Sequence, residues 1–395
     1  MHRDSLAVGS RLAALGERGL LRQRRTIEAY PRTGDGTQAQ VAGQTLRVFC
    51  SNDYLGLAHH PALASAQQAA SAQLGAGSGA SHLISGHSRE HHALEEELAA
   101  YTGRERALLF STGYMANLGV LGALVARGEI VLEDRLNHAS LIDGARLSGA
   151  RLLRYAHADA GDAAARLAEQ PNCTLLATDG LFSMDGDVAP LRELAAAASA
   201  QRAWLLVDDA HGLGVLGSSG RGALELAGLD AASVPLLMGT LGKAFGAFGA
   251  FVAGDRELIE LLLQQARTYI YTTALPPGVA AAARAALALS QREGWRREQL
   301  QQRVDQFRRG AAALGLPLCA STSPIQPLIV GEDARCARLG AALFARGFWV
   351  GAIRSPTVPA GAARLRITFS ANHRVADVDA LLEALGSEWR REFAS

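Results

Sequence analysis

Between residues 105 and 253, short apolar runs alternate with longer amphipathic ones, and this alternation restricts the chain to few architectures. Strand-length runs fall at 107–110, 130–132, 152–155, 174–178, 204–207, 235–238 and 250–252. Helical spacing of apolar residues occupies 114–126, 139–147 and 191–200 between them. Strands and helices alternating in this way predict an α/β fold with a mainly parallel sheet, covered by helices on both faces. Ligands of such sheets bind beyond the carboxyl ends of the strands. Residues just after each strand are therefore the functional candidates.

From Pro276 the texture changes. A long helical stretch over 280–291 runs on to 309, then strands at 326–330, 348–353 and 365–369 alternate with helices at 334–345 and 375–389. This predicts a large domain over 46–280 and a smaller C-terminal α/β domain over 281–395. Residues 1–45 read as a helix over 1–30, with arginines at 18, 22, 24 and 25, and a turn-rich linker leading to a first strand near 47–50. The 395 residues exceed what one hydrophobic core usually holds. A formal net charge of +1 gives no footprint for nucleic acid or an anionic membrane surface. The apolar runs are strand-sized, too short to span a bilayer, and residues 1–30 lack the apolar block of a signal peptide. Cys50, Cys173, Cys319 and Cys336 lie far apart without metal-ligand spacing, so the expectation is reduced thiols in a cytoplasmic enzyme and no metal.

Of the 39 lysines and arginines, only one is a lysine, Lys243. An arginine keeps its proton under ordinary conditions, whereas a lysine can lose it, and only a neutral amine attacks a carbonyl. Lys243 sits in Gly239-Thr240-Leu241-Gly242-Lys243-Ala244-Phe245-Gly246, a glycine-rich loop after the apolar run 235–238. Small residues there let the backbone approach a ligand, and the Thr240 hydroxyl can bond a phosphate oxygen.

Other strand ends carry matching chemistry. Asp208 and His211 follow the run at 204–207. A carboxylate at the end of a buried strand costs desolvation energy unless a cation pairs with it, and a protonated pyridine nitrogen is such a cation. Ser111-Thr112-Gly113-Tyr114 opens a helix, whose amino end suits a phosphate. His138 in Asn137-His138-Ala139-Ser140 is placed to stack on a planar ring or bond a substrate, and Ser183 lies in the Gly-punctuated segment 179–186. An ordinary helix cap or turn accounts for these last three motifs equally well. Two apparent nucleotide motifs fail. Residues 212–217 spell a dinucleotide fingerprint but lead into Ser218-Ser219-Gly220 instead of a helix. Gly242-Lys243 lacks the glycine and the hydroxyl of a phosphate-binding P-loop at 237 and 244.

Ordered segments along nearly the whole chain resemble the α-oxoamine synthases, a family of fold type I pyridoxal-phosphate enzymes. They include SNDYLGL (51–57), GAGSGASHLISGHSREHHALEEELA (75–99), NHASLIDGARLS (137–148), DGLFSMDGD (179–187), VDDAHGLGVLG (207–217), GTLGKAFG (239–246) and PTVPAGAARLRITFSANH (356–373). The resemblance implies a pyridoxal 5'-phosphate-dependent acyltransferase in which Lys243 holds the cofactor as a Schiff base and Asp208 pairs its ring nitrogen. It implies that His138 stacks on the ring, that His211 and Ser183 contact its substituents, and that Gly113, Tyr114 and Thr240 hold the phosphate. Thr272 or Thr273 of the neighbouring subunit of a homodimer is expected to reach that phosphate as well. Arg366, with Asn52 nearby, is expected to bind the amino-acid carboxylate, and Arg22 and Thr357 the acyl thioester. YIYTTALPP (269–277), IQPLIVG (325–331) and AIRSPTVPAG (352–361) resemble most the members that join L-alanine to a pimeloyl thioester, on CoA or acyl-carrier protein, in biotin synthesis. Glycine C-acetyltransferases stand next, and an aminotransferase or lyase on the same fold is the remaining alternative.

Overall fold

The computed structural model describes residues 7–17, 20–31 and 35–393. Twelve strands appear among them. They are β1 (Gln38–Val41), β2 (Gln44–Phe49), β3 (Arg106–Phe110), β4 (Ile130–Asp134), β5 (Arg151–Tyr155), β6 (Cys173–Asp179), β7 (Trp204–Asp208), β8 (Leu236–Thr240), β9 (Ala250–Gly254), β10 (Ile325–Gly331), β11 (Phe348–Ile353) and β12 (Ala363–Thr368).

β3 to β9 form a seven-stranded sheet in the order β3-β9-β8-β7-β6-β4-β5. β9 alone runs antiparallel to its neighbours; the other pairings are parallel. Both faces are buried. One packs on helix Gly113–Leu124 and the other on helix Leu191–Ala200. Double burial explains why the central strands read as continuous apolar runs without alternation. β6 and β7 are paired level at Asp179 and Asp208, and β7 and β8 at Asp208 and Met238, so three strands end together at one rim.

The second sheet has the order β1-β2-β11-β12-β10. β1 and β2 form a hairpin closed by Ala42 and Gly43, both at positive φ, as a tight two-residue turn requires. β2 is the strand expected near 47–50, and it lies parallel to β11 in this smaller sheet. Chain continuity put it beside the large domain; Leu46, Val48 and Phe49 bury their side chains with the C-terminal elements instead.

The expected helix over 1–30 is shorter. It spans Val8–Glu17 with every described side chain exposed, and residues 20–28 carry no regular structure. Its apolar residues Val8, Leu12 and Leu15 stay exposed, so packing against the described residues does not extend it. Residues 1–6 and Arg18, part of the same expectation, lie outside the described residues, as do 32–34 of the linker. The long C-terminal helix is broken in two, Pro277–Arg292 and Trp295–Ala313, at Glu293-Gly294. None of the described helices is long and apolar enough to cross a membrane.

Candidate active site

The rim where β6, β7 and β8 end opens into a cleft of about 190 Å³, lined by Gly113, Tyr114, His138, Ser183, Asp208, His211, Thr240 and Lys243 among others. Eight residues picked from strand ends spread over 131 positions thus meet in one cavity.

Lys243 reaches it from the loop after β8. That loop is cinched by hydrogen bonds from Leu241 N to Gly249 O and from Gly246 N to Lys243 O, both 2.9 Å. Gly246 has φ of +63°, and a side chain there would stand 2.2 Å from Ala58 N, so only glycine lets the loop press on this segment. The partly buried Lys243 amine has no hydrogen-bond or ion-pair partner among the described residues. Burial pushes its pKa from 10.5 down to about 8; the nearby carboxylates of Asp208 and Asp179 work against this, and the Arg366 guanidinium adds to it.

Asp208, 5% exposed, accepts from Ala210 N at 3.1 Å through Oδ1 and from Asn117 Nδ2 at 2.7 Å through Oδ2. Asp209 turns the other way and caps helix Ala223–Ala227 through Ala223 N at 2.7 Å. Asn117 Nδ2 also donates to Ser140 Oγ at 2.8 Å, and that hydroxyl lies 2.8 Å from His138 Nδ1. Because Ser140 N also points at Nδ1 (3.3 Å), this nitrogen is the acceptor, and the imidazole proton sits on Nε2. Burial lowers the His138 pKa, with Asp208 opposing, so the ring is neutral near pH 7.

His211 lies on the opposite flank, with its Nδ1 2.7 Å from the Tyr54 hydroxyl. Burial holds its pKa well below 6.5, and the positive charges of Lys243 and Arg366 act in the same sense. Arg366, on β12 of the smaller sheet, donates through Nε to Ser183 O at 2.6 Å and through both Nη atoms to Asn52 Oδ1 at 3.1 and 3.2 Å. Its Nη2 also lies 3.4 Å from the Tyr54 hydroxyl. The two sheets thus meet across this site.

At the far wall, the N–H groups of Gly113 and Tyr114 are the first of their helix, where no intrahelical carbonyl takes them. Tyr114 bonds Asp143 through its hydroxyl and stands edge-on to His138. Thr240 Oγ1 donates to Gly249 O at 3.0 Å and accepts from Gly242 N at 3.2 Å, so it must turn its proton outward to bind an anion.

Four expected residues stand elsewhere. Thr273 pairs with Ser81 in a lone β-bridge, and neither it nor Thr272 lines the cleft. Arg22 and Thr357, 335 positions apart, are joined by a 3.3 Å hydrogen bond beside a second cleft of about 530 Å³ along β11. Asn117 and Tyr54, which the sequence pattern alone did not single out, are buried behind the cleft residues, and Ser140, also not singled out, is buried and lines the cleft. The one available signal was Asn117 itself, an amide in an otherwise apolar helix, which must find partners when buried.

A planar, phosphorylated pyridine aldehyde fits this set. The unpartnered amine faces a buried carboxylate, a neutral imidazole flanks the space between, and free N–H groups at a helix start lie at one end. The chain belongs to the aminotransferase class I and II family, whose sequence pattern matches residues 45–385. It is 58% identical over 378 residues to 8-amino-7-oxononanoate synthase of Cellvibrio japonicus, covering 95% of this chain and 94% of that one. The fold superposes on a serine palmitoyltransferase solved with PLP as an internal aldimine, at a TM-score of 0.94 and 30% identity over 99% of each chain. It also matches 8-amino-7-oxononanoate synthase of Francisella tularensis at a TM-score of 0.77 and 32% identity, over 88% of this chain and 99% of that one.

Proposed function

We propose that this chain is a pyridoxal-phosphate-dependent acyltransferase that joins L-alanine to a pimeloyl thioester, releasing the thiol and CO2 to give 8-amino-7-oxononanoate for biotin synthesis. One observation carries the reading: the only lysine is partly buried, unpartnered and shifted toward neutrality, in the cleft it shares with Asp208 and His138. The likeness to 8-amino-7-oxononanoate synthases over nearly the whole chain supports this pair of substrates over the glycine-using alternatives.

Lys243 holds the aldehyde carbon of the cofactor, Asp208 its ring nitrogen, and Gly113, Tyr114 and Thr240 its phosphate. His138, His211 and Ser183 surround the ring. Bound there, the cofactor supplies an electron sink for negative charge developing at the amino-acid Cα. Arg366 grips the alanine carboxylate with a planar fork already oriented by Asn52 and Ser183, and so aims the Cα–H bond. The Lys243 amine would take the Cα proton; a pKa of about 8 lets an appreciable fraction act as base at neutral pH. Asp208, oriented by two N–H donors, would face the ring nitrogen and hold its proton in place. Arg22 and Thr357 bind the thioester in the second cleft. Thr272 and Thr273, away from the cleft of their own chain, fit a homodimer in which they reach the partner's phosphate. The enzyme works in the cytoplasm, in keeping with its four free thiols.

Borohydride reduction of the holoenzyme, followed by peptide mapping, is expected to leave the pyridoxyl group on the Lys243 peptide alone. Label confined to the amino terminus, or none, overturns the assignment. Thiol release is expected with alanine and pimeloyl-CoA, and not with glycine and acetyl-CoA.

A further inference from the structure

Four of the eleven histidines crowd into residues 82–92, outside the cleft that holds Lys243. His91 is committed to the fold. Its Nδ1 accepts from Ser88 N at 2.9 Å, and its Nε2 donates to Leu275 O at 2.7 Å. His87, His92 and Glu95 are different. Each offers one ligand atom, and these atoms lie within 4.8 Å of one another. His87 Nε2 stands 4.0 Å from Glu95 Oε2 beside a cavity of about 650 Å³.

Behind these atoms the structure supplies the support that metal ligands need. His87 Nδ1 lies 3.0 Å from His82 Nδ1, so a proton on His87 Nδ1 leaves its Nε2 lone pair facing Glu95. The His82 ring is fixed in turn by stacking on Tyr269, with centroids 4.9 Å apart and planes 8° from parallel. Glu95 Oε1 accepts from Leu109 N at 3.0 Å, which leaves Oε2 to point at the histidines. Ligating imidazoles and carboxylates carry outer hydrogen bonds of this kind. The cation beside Glu95, Arg106, is paired with Glu260 at 2.7 Å.

We propose that His87, His92 and Glu95 form a site for one divalent cation of the zinc class, with a fourth position open to the cavity. Two imidazoles and one carboxylate are a known donor set for zinc, which holds them at about 2.0–2.2 Å and so about 3.4 Å from one another. The contraction falls on His92, whose side chain is 67% exposed and able to swing inward. This site is independent of the reaction proposed above.

The test is titration of the chelator-treated holoenzyme with Co2+ and then Zn2+. One equivalent of cobalt per chain is expected to give the visible bands of a four-coordinate site, which zinc then bleaches. His92→Ala and Glu95→Gln are expected to abolish those bands while circular dichroism and cofactor absorbance stay unchanged. His82→Ala, which removes the outer hydrogen bond to His87 without touching a ligand atom, is expected to weaken zinc binding by about 10- to 100-fold. Absence of bound metal, or binding that survives both His92→Ala and Glu95→Gln, overturns the proposal.

Discussion

Asn117→Leu gives the sharpest test of how the active site is built. The amide is fully buried and donates one hydrogen bond to Asp208 Oδ2 (2.7 Å) and one to Ser140 Oγ (2.8 Å). Leucine has similar volume and no donor, so Asp208 keeps only Ala210 N. A hydrogen bond to a charged group contributes about 1.5–3 kcal/mol. Losing that bond weakens the hold of Asp208 on the ring-nitrogen proton by about the same amount, and each 1.4 kcal/mol is a factor of ten. kcat is therefore expected to fall by about 10- to 100-fold. The alanine KM moves little, because Arg366 and Asn52 keep their contacts. Stability changes less than for an ordinary buried amide, since Asn117 Oδ1 has no partner to lose. A merely structural residue would not shift the spectrophotometric titration of the bound cofactor, and here its ring nitrogen should lose its proton at lower pH. Asn117→Asp is expected to be worse, because it sets a second carboxylate against the first. A variant with unchanged kcat and unchanged titration would refute the positioning role.

Two other measurements probe the same site. The rate at which apo-protein takes up pyridoxal phosphate is expected to rise with pH and level off above about 8, because the lowered Lys243 pKa leaves the attacking amine neutral from there upward; stopped-flow absorbance would expose a rate still climbing near 10.5, which would mean the amine is not desolvated. Arg366→Lys keeps the charge but loses the fork between Ser183 O and Asn52 Oδ1, so the alanine KM should rise by about tenfold or more with little change for the thioester; an equal effect on both substrates would mean that Arg366 supports the fold instead.

What was legible in the sequence follows from which physical signals are local. All strands of the large sheet but the edge strand β5 are buried on both faces, and all are flanked by turn residues, so their apolar runs mark them within a residue or two. Residues at their carboxyl ends line the cleft, and the rule for open α/β sheets points to them directly, as it did for Asp208 and Lys243. β1 was missed because its four residues, Gln-Ala-Gln-Val, bury only Ala39 and Val41, too little apolar surface to stand out beside a turn. β2 was found but joins the smaller sheet, because the partner of a strand depends on contacts 300 positions away that no local pattern encodes. Tyr54 and Asn117 stayed hidden for the same reason. Their side chains touch no expected ligand, and they act by holding His211 and Asp208 from behind. A strand end fixes where a functional group begins, but its direction is set by polar atoms arriving from other elements. The geometry of this site therefore rests on buried hydrogen bonds that cross the fold, and Asn117 is where removing one of them leaves every residue in the cleft chemically intact.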